Sequence, residues 1–321
     1  MTLPCTVCGG PTRPWLEMPI DGKTFKAIAY GKISRCIACG HGCVFPLPNS
    51  AEVPAFYDLD EYYTQGGSHI PDVKPAIHDK LLTKLAWKFD EGVDLNVALS
   101  SLQIPAKSNV CEIGCGHAEN LVHFKRLGHV AIGVDPDPKA AAKAAKSGIE
   151  VLQGTGEILP AEISAIRFDL VIMSHSLEHC IDPVLALKNV EAILRPGGVF
   201  VCEVPNSACT HFLWNNVCSE MFDAPRHLHF YGPTSLLKSI DNARLVTELV
   251  EYTGFTRHHA PGWRATELKI RRNLKRMTQQ SPPPHSFMRS LYLWLRTFKA
   301  PAHQKYDSVR IVARKPLASA G

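Results

Sequence analysis

Apolar and polar positions change period along this chain, and the changes mark its elements. The runs at 109–113 (NVCEI), 130–134, 149–152, 168–173 (FDLVIM) and 199–204 are short and almost wholly apolar, the pattern of strands covered on both faces. Between them, 119–127 and 182–194 carry helical spacing, and the second is closed by Arg195-Pro196-Gly197-Gly198, a stop signal. Strand and helix alternating through five strands predict a parallel sheet with helices on both sides. Further helices are expected around 81–87 and from Pro233, and the runs 245–252 and 307–312 read as a final antiparallel pair. Between that pair lies an insertion. It holds a basic cluster (Lys269, Arg271, Arg272, Lys275, Arg276), a proline-rich stretch, and a short helix at 287–296 that is apolar over most of its surface with basic residues interspersed. Such a helix serves as a lid on its own domain or touches a membrane face or lipid-linked acceptor.

Upstream the periodicity gives way to paired cysteines. Cys5 and Cys8 form one C-x-x-C pair, Cys36 and Cys39 another, and a glycine follows each. A two-residue gap turns both sulfurs toward one ion, and the glycine permits the tight turn, so four thiolates close a structural zinc site with no open position. His41 and Cys43 lie near enough to substitute for a ligand. So small a segment buries little core, and metal binding would supply most of its folding free energy. The proline- and aromatic-rich stretch that follows reads as a linker that packs, with Phe56, Tyr57, Tyr62 and Tyr63 covering the next domain or reaching over its pocket. The expected organisation is a ribbon over 1–46, a linker over 47–76, a cofactor domain over 77–262, a basic helical insertion over 263–304, and a last strand and tail over 305–321.

Composition narrows the class. With 321 residues and 45% hydrophobic content the chain has material for one substantial domain with appendages. Its eleven cysteines, in a chain of this size without an export signal, indicate metal or thiol chemistry rather than a disulfide scaffold. No apolar run is long enough to span a bilayer, and a cytoplasmic location is expected, with peripheral membrane contact through 286–299 as a variant. A net charge of +5 does not call for nucleic acid as the partner.

The candidate chemistry begins at Gly114-Cys115-Gly116, where the first strand turns into a helix, the place where doubly wound folds bind their ligand. Glu119 replaces the third glycine of the dinucleotide fingerprint, which argues against a pyrophosphate ligand. Asp135 ends the second strand, where a carboxylate can accept both hydroxyls of a ribose. With VCEIGCG, GVDPD, GTGEILP, FDLVIMSHSLEH and LRPGGVFVCEVPN in this order, the chain resembles class I S-adenosylmethionine (SAM)-dependent methyltransferases. The ribbon resembles those preceding many bacterial methyltransferases of this group.

The resemblance implies a Rossmann-like α/β fold with SAM held by Glu112, Gly114, Cys115, Gly116, Asp135, His175 and the turn Thr155, Gly156, Glu157. The segment PRHLHFY at 225–231 resembles a loop of sugar C-methyltransferases in which a histidine is the proposed base. His227 takes that place, with His229 and His175 as the other candidates, and Arg226 would suit an anionic acceptor. The expected function is methyl transfer from SAM to oxygen or carbon of a small-molecule, glycan or lipid-linked acceptor. The rivals are methylation of an RNA base and a non-catalytic SAM-binding or zinc-dependent interaction protein.

Overall fold

The computed structural model describes residues 4–57, 59, 72–278 and 286–317. Tyr62, Tyr63 and the proline-rich stretch at 281–285 lie outside these residues. Three strands open the chain: β1 (Thr12–Glu17), β2 (Lys32–Cys36) and β3 (Gly42–Val44). Helices α1 (Ile77–Lys88) and α2 (Leu95–Ser101) lead into β4 (Asn109–Ile113), α3 (Glu119–Arg126), β5 (Val130–Asp135) and α4 (Pro138–Ala145). These are followed by β6 (Glu150–Gln153), α5 (Ala161–Ala165), β7 (Phe168–Ser174), α6 (Pro183–Ile193) and β8 (Leu194–Pro205). The rest comprises α7 (Thr210–Asn215), β9 (His229–Phe230), α8 (Pro233–Asn242), β10 (Val246–Thr253), α9 (Pro261–Thr278), α10 (Phe287–Thr297), α11 (Ala302–Lys305) and β11 (Ser308–Arg314).

The main sheet has seven strands in the order β10-β11-β8-β7-β4-β5-β6. Strand β11 pairs antiparallel with both β8 and β10, while β8, β7, β4, β5 and β6 pair in parallel. The apolar runs split by alternate residues. Cys111, Ile113, Val171, Met173, Phe200 and Cys202 pack with Leu187, Val190 and Leu236 on one face. Val110, Leu170, Ile172, Val199 and Val201 pack with Leu121, Phe124 and Ala144 on the other. Helices α4 and α6 start alike: Asp137 accepts from the Lys139 N–H, Asp182 from the Leu185 N–H, and a proline fills each first turn.

A second, antiparallel sheet runs β1-β2-β3-β9, and its fourth strand comes from the far side of the cofactor domain. Gly42 pairs with Phe230 and Cys43 with His229. A Cβ on Gly42 would lie 2.9 Å from the Phe230 Cβ and from the Trp15 ring, so only glycine permits this pairing. Met18, Ile20, Ile33 and Val44 of the ribbon share one apolar core with Phe212, Met221, Phe222, Leu228, Phe230, Trp263 and Ile270. The ribbon thus shares an apolar core with residues 209–274, burial that its length alone does not suggest.

The insertion is helical as expected, but its basic cluster is not all surface. Lys269, Arg272, Lys275 and Arg276 are exposed on α9, whereas Arg271 is buried and donates to the Asn215 side chain at 2.6 Å. Helix α10 docks Leu293, Trp294 and Thr297 inward, with Trp294 stacked on Phe298 and edge-on to Phe89, and leaves Met288, Tyr292 and Leu295 exposed. Among the described residues no helix is long and apolar enough to cross a membrane.

Candidate active site

The glycine turn after β4 is set by two positive backbone angles, φ +75° at Gly114 and +51° at Gly116. A Cβ on Gly114 would overlap that of Ser176, whose hydroxyl donates to the Ile113 carbonyl at 2.9 Å. The Gly116 N–H donates to Asp135 Oδ2 at 2.8 Å and the Asp137 N–H to Oδ1 at 2.9 Å, so Asp135 ties the mouths of β4 and β5 together. Burial raises the Asp135 pKa, against the pull of these two N–H groups. Glu112 is buried behind the turn. Asn120 donates to its Oε1 at 2.6 Å and its Oε2 has no partner. Burial pushes its pKa up to about 8, with Asp135 adding and Asn120 opposing. Cys115 turns its thiol into the core against Gly133, so its side chain is packing rather than a cofactor contact.

The turn after β6 is pinned to α6. Glu157 Oε1 accepts from the Ile181 N–H at 2.7 Å, and Asn189, which sequence reading does not single out, donates to the carbonyls of Gly156 and Glu157 at 2.9 and 3.0 Å. Thr155 Oγ1 accepts from the Ile158 N–H at 3.1 Å. A Cβ on Gly156 would meet Ala186 at 2.9 Å.

The histidines separate into three environments. His175, at φ +51° beyond β7, has Nδ1 3.5 Å from Glu178 and Nε2 3.4 Å from Glu203. Burial disfavours its charge, but the two carboxylates win and raise its pKa to about 10, while Glu203, also paired with Arg310 at 2.8 Å, falls to about 2. His229 lies in β9, buried, with Nδ1 3.1 Å from His41 Nε2 and the two rings stacked. It belongs to the junction with the ribbon. His227 points elsewhere: Nδ1 donates to the Met221 carbonyl at 2.9 Å and Nε2 lies 4.0 Å from Glu178, with the His179 ring edge-on at 4.7 Å. Burial and His179 lower its pKa to about 4, against Asp223 and Glu178.

Arg226 is not placed for an acceptor. It is fully buried, makes a two-pronged pair with Asp21 at 2.7 and 3.0 Å, and donates to Asp223 at 2.9 Å and the Phe56 carbonyl at 3.0 Å. Burial raises the Asp223 pKa, but Arg226 and Lys23 bring it well below the usual carboxylate range. This buried ion pair locks ribbon, linker and loop together. The linker's Tyr57 reaches His179 Nδ1 at 2.9 Å.

At the other end of the ribbon the four expected ligands converge, all four sulfurs lying within 4.8 Å of one another. Cys5 and Cys39 are 3.7 Å apart and Cys8 and Cys36 3.4 Å, close to the roughly 3.8 Å edge of a tetrahedron with 2.3 Å zinc–sulfur bonds. Gly9 and Gly40 take φ of +71° and +74° in the two knuckles. His41 is engaged with His229, and Cys43 is outside the group. The residues fit zinc.

The model of a family described as a methyltransferase domain matches residues 87–247, half of the chain. A ubiquinone biosynthesis O-methyltransferase of Bradyrhizobium diazoefficiens is 35% identical over 64% of this chain and 83% of its own. The corresponding protein of Cereibacter sphaeroides is 29% identical over 49% of this chain, and the match spans 64% of that relative's length. Among solved structures, a Burkholderia thailandensis 1,6-didemethyltoxoflavin-N1-methyltransferase with bound S-adenosylhomocysteine is 15% identical, covering 87% of this chain and 97% of its own at a TM-score of 0.46. The chain thus belongs to the methyltransferase-domain family of class I SAM-dependent methyltransferases.

Proposed function

We propose that the protein transfers a methyl group from SAM to an oxygen of a small-molecule acceptor. The observation that supports this most directly is the pairing of a family cofactor domain with an acid–imidazole group beyond β7, the buried Glu178 beside the part-buried His179 and His227. SAM brings its own activated methyl on a sulfonium, so the chain need only bind, orient, exclude water and handle the acceptor's proton. The unpartnered Oε2 of Glu112 fits the cofactor's amino group, Gly114 and Gly116 let its methionine part approach the backbone, and Asp135 receives the ribose hydroxyls. The turn Thr155–Glu157 flanks the adenine.

Of the three candidate histidines, His175 is held as an imidazolium at neutral pH and has no lone pair to take a proton. His229 is committed to His41. Proton handling is therefore assigned to the group containing His227. The names of the relatives favour oxygen over carbon, and the exposed Met288, Tyr292 and Leu295, with Arg296 and Lys299 also exposed, would suit contact with an apolar acceptor or the bilayer carrying it.

The test is transfer from labelled SAM into separated small-molecule, lipid and RNA fractions of a cell extract. Label in an alkali-stable small product supports the reading. Label confined to RNA, or none in any fraction with SAM bound, overturns it.

A further inference from the structure

The linker enters the active centre at one point that the function above does not account for. Arg226 donates to the Phe56 carbonyl at 3.0 Å while held by both oxygens of Asp21, so a ribbon carboxylate and a buried guanidinium fix the backbone beside Tyr57. The Phe56 ring lies 5.8 Å from that of Tyr30, a second hold on the same stretch. Tyr57 closes the short helical turn Val53–Tyr57 and brings its hydroxyl to 2.9 Å from His179 Nδ1. Burial, with Asp223 and Glu178 adding to it, raises the Tyr57 pKa against Arg226, so the phenol keeps its proton. His179 Nδ1 has a second neighbour, the Arg226 carbonyl at 3.0 Å. A carbonyl oxygen only accepts, so Nδ1 carries the hydrogen, and the phenol oxygen shares it as a second acceptor. Nε2 is then the bare nitrogen of the neutral ring. His227 is anchored in the same sense by the Met221 carbonyl, but its Nε2 faces the buried Glu178 at 4.0 Å. A charge on the part-buried His179 reaches Asp135, the carboxylate assigned to the ribose.

We propose that Tyr57 is a positioning residue of the active centre, contributed by the linker, which holds His179 with Nε2 bare and turned to the acceptor's hydroxyl. This rests on the reading of the site given above and deepens it. The hydroxyl proton passes to Nε2, the oxygen forms a bond to the methyl carbon, and the carbon–sulfur bond breaks with its electron pair kept by sulfur, releasing S-adenosylhomocysteine. The ring then returns the proton to water. While the ring is an imidazolium, its Nδ1 hydrogen has two acceptors rather than one to share the charge, the service a third group renders to the base of a catalytic pair. The ribbon thereby has a stake in the chemistry, through Asp21, Arg226 and Tyr57 in turn.

The test compares the full chain with Tyr57→Phe, which keeps the ring and removes the oxygen. In SAM-free protein with nitrogen-15 in its histidines, magnetic resonance identifies the His179 ring by the signals that His179→Gln deletes. The ring is expected to be protonated at Nδ1 and bare at Nε2, and in Tyr57→Phe its Nδ1 hydrogen should exchange with water about tenfold faster or more. Turnover of labelled SAM against the small-molecule fraction of a cell extract should fall about tenfold or more in Tyr57→Phe, with the KM for SAM changed by less than about twofold and circular dichroism retained. Residues that only pack would leave both the exchange and the turnover where they are. A ring protonated at Nε2 in the original protein, unchanged exchange in Tyr57→Phe, or unchanged turnover overturns the positioning role and leaves the proposed function standing. Faster exchange in the variant, with no transfer to the fraction by either protein, keeps Tyr57 on His179 and sinks the function.

Discussion

Glu112 sits near the end of β4 with one carboxylate oxygen on Asn120 and the other on nothing. Its pKa rises from an ordinary 4.5 to about 8, so the folded state holds this proton more tightly than the unfolded chain. The associated stability is complete below about pH 4.5 and drains away as pH climbs toward 8, by up to roughly 1.4 kcal/mol per unit. Glu112→Gln should flatten that slope in SAM-free protein. Melting temperatures at pH 5 and pH 8 check this, and an unchanged slope would place the titration elsewhere. Glu112, Gly114 and Asp135 are legible in the sequence because their spacing is local to one strand–turn–helix unit. Arg226 is not, since its partner Asp21 stands 205 positions away and a lone arginine beside histidines looks like an anion binder. Glu178 is equally silent: only the fold brings His175 to 3.5 Å and His227 to 4.0 Å from it.

At the scale of elements, the strands of the main sheet announce themselves because burial on both faces makes them continuous apolar runs. Strand β9 offers two residues, too few for any period to show, and α7 is held by contacts from α9 and α10 that no local pattern encodes. The loop expected before α8 is therefore a docked segment, with its far end in the ribbon sheet. That arrangement predicts an unequal response to metal loss. Stripping the cysteine site, or Cys36→Ser, should loosen β3 and through it β9, two residues from His227. Methyl transfer should fall tenfold or more while SAM affinity, set at β4 and β5, changes by less than about threefold. Parallel turnover and calorimetric measurements check it, and equal losses in both would mean the ribbon supports the whole fold.

For the molecule as a whole, the shared core of ribbon and cofactor domain decides how the chain can be cut. A chain starting at residue 47 would bare Phe212, Met221, Phe222 and Phe230, an apolar surface now covered by Met18, Ile20, Ile33 and Val44. It should be found in aggregates rather than as a folded, SAM-binding monomer, as judged by size-exclusion chromatography and SAM titration. A monodisperse product with normal affinity would show the two parts to be independent.

The pairing of Gly42 with Phe230 also governs the order of events on the ribosome. Phe230 emerges about 190 residues after its partner, and at roughly 5–20 residues per second β3 waits on the order of ten to forty seconds with one edge unclaimed. The knuckles can load zinc in that interval, yet the sheet they hold stays open until nearly the entire cofactor domain has been translated. What is made first is thus completed among the last, and nascent chains interrupted before residue 230 carry a metal-loaded ribbon with a free strand edge, the species that holding chaperones would have to cover.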